Sequence, residues 1–134
     1  MYEAIFYDDP ETGREPVREY LKGLGDRISG YIYGILLHIE SNGQLPGFPL
    51  ASHVEGAIWE LRFHKQGIYP RILYATVVGA RLILLEGFTK TTRETPDKHK
   101  KAAKNRLAEF LKRSENQKSL AKESKRHGKS KKKK

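Results

Sequence analysis

The chain has 134 residues, no cysteine and a formal net charge of +10. This length suits one domain with its own hydrophobic core rather than two, and the lack of cysteine excludes disulfides and thiolate metal sites. The opening "MYEAIFYDDPETGR" carries acids where a secretory leader carries bases, and no apolar run reaches the roughly 18 residues of a membrane helix. A soluble, cytoplasmic protein with no membrane partner is expected.

The charge is unevenly placed. From Lys112 onward there are 11 Lys/Arg against Glu115 and Glu123, a net of +9 that leaves only +1 for everything before it. Within that remainder, residues 1–56 hold 9 acids and 4 bases, whereas Gly87 to Arg106 hold 7 bases and 2 acids. The folded part is therefore polarised, with one basic end, rather than uniformly basic.

In chain order, "YEAIFYDD" alternates as a first strand and "DPETGR" ends it with turn residues. "EPVREYLKGL" sets Pro16 at a helix start, with Val17, Tyr20, Leu21 and Leu24 on one face. Asp26 is placed to cap a second helix, whose Ile28, Ile32, Ile35, Leu36 and Ile39 keep helical spacing until "SNG" stops it at Gly43. The proline- and glycine-rich "QLPGFPLASHVEG" is a connection that can hold a short edge strand near Ala51 to Val54. Three strand-like runs follow, "AIWELRFHK", "YPRILYATVV" and "RLILLEGFTK", as an antiparallel meander. Thr95 and Pro96 then cap and begin a last helix with an apolar stripe at Ala103, Leu107, Phe110 and Leu111. The domain is expected to span 1–112, and 113–134 to be a Lys-rich, largely disordered tail. The expected fold is α+β: a small antiparallel sheet with two amino-terminal helices and a carboxy-terminal one.

Strand alternation places Trp59, Leu61 and Phe63 on a core face, and Glu60, Arg62 and His64 on the other. Arg71 and Glu86 fall within cross-strand reach of that second face. One reading is an ordinary solvated sheet surface with weak charge pairs. The other is an anion site, because "GFTKTTRETPDKHKK" crowds Lys90, Thr92, Arg93, Lys98 and Lys101 around a strand end and a helix amino terminus. The five histidines are scattered without ligand spacing, so no metal site is expected, and no Gly-rich phosphate loop or nucleophile elbow is present.

The segments "PVREYL", "IWELRF", "RILYA", "LLEGFTKTT" and "TPDKHKKAAKNRL", in this order, resemble the phage-derived, HigB-like branch of the RelE/ParE toxin superfamily of type II toxin–antitoxin systems, over about residues 2–111. The resemblance implies a RelE-like α+β toxin that enters the ribosomal A site and cleaves mRNA as a metal-independent endoribonuclease, with a HigA-like helix-turn-helix antitoxin as partner and no cofactor. Carried over residue by residue, it makes Arg62 and Arg71 grip the scissile phosphate and Lys90 support the reaction; His64, the only His on the proposed face, is a candidate base although the family manages without a dedicated histidine. Arg93, Thr92, Lys98 and Lys101 would hold flanking RNA. The sequence departs from the family's habit at Glu86, where a His is common, and at Thr91 and Glu94 in a segment usually richer in lysine. Two alternatives stand beside this reading. One is a non-catalytic or decayed toxin-like domain that binds nucleic acid or an antitoxin; the other is a ParE-like inhibitor of gyrase.

Overall fold

A computed structural model of the chain describes residues 2–47 and 49–129, with side chains as far as Ser114. The element order is β1 (Glu3–Phe6), α1 (Pro16–Gly23), α2 (Asp26–Asn42), β2 (Ala51–Glu55), β3 (Ile58–Arg62), β4 (Pro70–Val77), β5 (Arg81–Thr89) and α3 (Asp97–Lys129). From residue 115 the side chains of the expected basic tail lie outside the described residues, and 130–134 lie wholly outside them. Among the described residues no helix is long and apolar enough to cross a membrane.

The helices start and stop for local reasons. Pro16 occupies the first turn of α1, where its missing N–H costs nothing, and Val17 and Leu21 are its buried face. At α2 the capping position belongs to Gly25, not Asp26; Asp26 lies in the first turn, where its charge faces the positive end of the helix dipole. Gly43 ends α2 in the left-handed conformation, at φ 80°.

The sheet corrects the expectation of a small, purely antiparallel one. It has five strands in the order β1-β5-β4-β3-β2 and is mixed. β2 to β5 form the expected meander, but β1 pairs with β5 in parallel, Glu3 opposite Arg81 through Phe6 opposite Leu84. The reason is the α1–α2 connection: it carries the chain from one edge of the sheet to the other, so the meander returns β5 alongside β1 in the same direction. The outer edge of β1 is closed by α2, since Glu40 accepts the Ala4 N–H on its carboxylate at 2.9 Å.

Both faces of this sheet are covered. Leu61, Phe63, Ile72, Tyr74, Leu82 and Leu84 pack against Val17, Leu21, Ile32, Leu36 and Ile39 of α1 and α2. On the opposite face Ile58, Leu73, Ala75, Ile83 and Leu85 pack against Ala103, with Leu107 and Phe110 beside it on α3. The second face, read from alternation as open to a ligand or to water, is thus largely a second core. Trp59, placed in the core by the same alternation, is 40 % exposed and packs edge-on against His53 of the edge strand, with ring centroids 5.1 Å apart.

The meander places side chains that strict alternation misassigns. Opposite Leu73 and Tyr74 stand Glu86 and Leu84, so Leu85 is an extra residue in β5, a bulge. The bulge lets both Leu85 and Glu86 face α3. At the β4–β5 turn, Ala80 sits at φ 56°, and its carbonyl accepts the Glu3 N–H at 2.9 Å, which holds it there. A side chain is disfavoured in that conformation, so Ala80→Gly is expected to raise stability by about 0.5–1 kcal/mol in a denaturant titration. An unchanged or lowered midpoint would show that the turn carries no such strain.

Two buried phenols give a pH dependence. Burial pushes Tyr7 up to about 12, helped by its 2.7 Å hydrogen bond to the Glu109 carboxylate, and burial alone pushes Tyr74 up to about 12. Each therefore keeps its proton to higher pH when folded than the ordinary value of 10.0. Their contribution to stability is complete below pH 10 and is lost as pH rises from 10 towards 12. The melting temperature should fall across that window, and Tyr74→Phe should make the fall shallower.

Candidate functional site

Three strands bring the charged residues of the α3-facing side into rows. The register aligns Phe88 of β5, Arg71 of β4 and Arg62 of β3, and next to them Glu86, Leu73 and Glu60. Two arginines are thus direct cross-strand partners, a juxtaposition of like charge that disfavours itself unless an anion is near.

Arg71 is the unusual member, because it is only 6 % exposed. Its Nη1 donates to the carbonyls of Phe63 and Pro70, each at 3.1 Å. Its Nε lies 3.9 Å from Glu60 Oε1, close enough for charge attraction but too far for a hydrogen bond, and has no hydrogen-bond partner among the described residues. Burial pulls the guanidinium below its ordinary value; Glu60 opposes that shift, and the positive charge of Arg62 adds to it. The buried guanidinium thus has one near anion in Glu60 and two carbonyl acceptors, and one N–H, at Nε, without a hydrogen-bond partner among the described residues.

Glu60, also buried, holds the segment before α3. The Thr95 hydroxyl donates to its Oε2 at 3.0 Å. Thr95 therefore serves this carboxylate rather than the amides of α3, whose first turn is instead closed on the Pro96 carbonyl. Glu86 is likewise committed to α3: its carboxylate accepts from Arg106 Nη1 at 2.7 Å and pairs with His99 Nδ1 at 2.6 Å, while the His99 ring stacks on Phe88 at 4.1 Å. The residue that departs from the resemblance thus has two cationic or polar partners and lies under the helix.

Arg62 and Arg71 open into a cleft of about 420 Å³ between the chain before β2 and the β3–β4 hairpin. Pro49, Leu50 and Phe63 form its apolar wall. His64 and Tyr69 line it too, as exposed, nearly parallel rings, 4.5 Å between centroids and 13° between planes. The hairpin fixes this pair: Lys65 and Ile68 exchange two backbone hydrogen bonds of 3.1 Å around Gln66 and Gly67, both at positive φ, and His64 and Tyr69 follow on either side.

Of the residues singled out from sequence, Arg62, Arg71 and His64 meet in this cleft. Lys90 adjoins it, its N–H donating to the Tyr69 carbonyl at 2.9 Å. Thr92, Arg93, Lys98 and Lys101 lie outside the cleft lining, exposed along the loop after β5 and the first turns of α3; the Thr92 hydroxyl donates to the Glu94 carbonyl. Sequence reasoning missed Tyr69, whose one signal was an aromatic residue before Pro70 at a hairpin base. It also missed His99, whose link to Glu86 leaves no trace in spacing.

Fold and cleft together define a mixed α+β domain that carries an arginine-floored, aromatic-walled groove at one end of its sheet. A family model described as phage-derived protein Gp49-like (DUF891) matches residues 19–108, and the chain belongs to that family. The family is associated with toxins of the RelE and HigB kind, so this is a toxin-like protein of the toxin–antitoxin type. No curated protein matches the chain.

Proposed function

We propose that this protein is the toxin of a type II toxin–antitoxin pair and cleaves mRNA on the ribosome, with a HigA-like helix-turn-helix antitoxin as its partner. The observation that carries the reading is Arg71: a buried guanidinium with an unpartnered Nε, set against Arg62 at the floor of an open cleft. A phosphodiester supplies what that arrangement lacks.

In the proposed reaction the 2′-hydroxyl of one nucleotide attacks the adjacent phosphorus. The new 2′-O–P bond closes a cyclic phosphate as the P–O5′ bond breaks, and the proton lost from the 2′-oxygen is balanced by one gained at the 5′-oxygen. His64, at the cleft mouth, is the candidate for removing the first proton. Arg62 and Arg71 meet the charge that grows on the phosphoryl oxygens, Arg71 with a side chain that is itself largely buried and fixed. Lys90 adds positive charge beside them. Arg93, Lys98 and Lys101 extend the cationic surface towards flanking phosphates and ribosomal RNA without reading sequence, with Thr92 as a neutral hydroxyl beside them.

The test is induced expression followed by mapping of mRNA 5′ ends. The expected result is growth arrest with cuts confined to translated messages. RNA binding without such cuts would reject the enzyme and leave a non-catalytic binding domain.

A further inference from the structure

The cleft carries more than phosphate binding alone requires. Beside its two arginines it is lined by the apolar Pro49, Leu50 and Phe63 and by the stacked rings of His64 and Tyr69. Tyr69 is 46 % exposed although large and aromatic, and it is presented on a hairpin whose two-residue turn leaves little freedom. Tyr69 and the buried Arg71 line the same cleft. A ligand that matches both carries a flat, apolar-faced ring a few ångströms from a phosphate. A nucleotide has that form, and a cleft of this volume is at the small-ligand scale.

We infer that the cleft is a one-nucleotide subsite within a bound RNA strand, in which the base stacks on the Tyr69–His64 ring pair while its phosphate meets Arg62 and Arg71. This deepens, and rests on, the reading of the protein as an RNA-directed toxin. Tyr69 is a positioning residue here: by anchoring a base it fixes which phosphate lies over the arginines. Because every base has a stacking face, Tyr69 contributes affinity and register rather than base choice.

The test is binding of a single-stranded trinucleotide with 2′-O-methyl riboses, which cannot be cut, and of the same strand with the base deleted at each position in turn, to the full chain. Loss of one particular base is expected to weaken binding by about tenfold. Tyr69→Leu should bring that ratio close to one, and Tyr69→Phe should preserve it. Tyr69→Leu that keeps the full ratio, or a wild type with no position-dependent loss, overturns the subsite. Uridine monophosphate binding as tightly as the trinucleotide overturns the assignment to a strand. Cleavage is scored separately: a chain that discriminates at one position but cuts no message keeps the subsite and loses the nuclease, and a chain that cuts messages without discriminating does the reverse.

Discussion

Arg62→Ala will lower mRNA cleavage by about 10²–10³-fold, the usual consequence of removing one fixed donor from a developing oxyanion, and will leave the melting temperature nearly unchanged. Arg62 stands at the end of β3, partly exposed, so its loss opens no cavity in either core. Arg71→Ala is expected to fail differently. It removes the cation 3.9 Å from the buried Glu60 and releases the carbonyls of Phe63 and Pro70, so activity and stability should fall together, the latter by about 3–5 kcal/mol. Arg71→Lys keeps the charge but not the planar guanidinium that puts Nη1 on two carbonyls while Nε lies near Glu60, and should recover part of the stability and little of the activity. Cleavage measured by primer extension, beside thermal melts of all three variants, separates these outcomes. Full activity in Arg62→Ala would remove Arg62 from the reaction, and an undiminished melt for Arg71→Ala would mean that Glu60 does not depend on it.

Gly87→Ala will be the most damaging small substitution in the sheet, costing about 1–3 kcal/mol. A methyl at this position would lie 2.4 Å from Cδ2, 2.8 Å from Cγ and 3.1 Å from Cβ of Tyr20. These atoms lie near the root and ring of a packed side chain, so the ring cannot swing aside without losing the 2.8 Å hydrogen bond between its hydroxyl and Thr89. Denaturant titration measures the cost. A double variant with Tyr20→Ala should lose less than the sum of the two single changes, because the clash disappears with the ring. Strict additivity, or a cost for Gly87→Ala below about half a kcal/mol, would show that the close approach does not constrain the fold.

Most elements were legible because their signals are local. Pro16 starts α1, Gly43 ends α2, and the runs around Leu61, Ile72 and Leu84 alternate as strands. The short strand near Ala51 was also visible between its flanking turn residues. What the strands carry on their second face is legible too. Leu73 and Ala75 fall on the face of Arg71 by alternation, and Ile83 and Leu85 are apolar as well, so both faces of these strands are apolar and require cover on both sides.

By itself, then, the sequence determined the helices, the three-strand meander with a short strand before it, and the gathering of arginines near the end of β3 and the start of β4, because each depends on residues near one another in the chain. Tertiary structure alone decided three things. It set β1 parallel to β5, since that pairing joins segments about 78 residues apart in register and no local pattern encodes it. It turned Glu86 under α3 through the bulge at Leu85, where one extra residue reverses the parity on which alternation depends. And it buried Arg71 while leaving Nε without a partner, a property of the space between α3, the hairpin and the sheet rather than of the residue. Alternation can say which way a side chain points; only the packing of distant elements decides whether it meets water, another charge or a site awaiting a ligand.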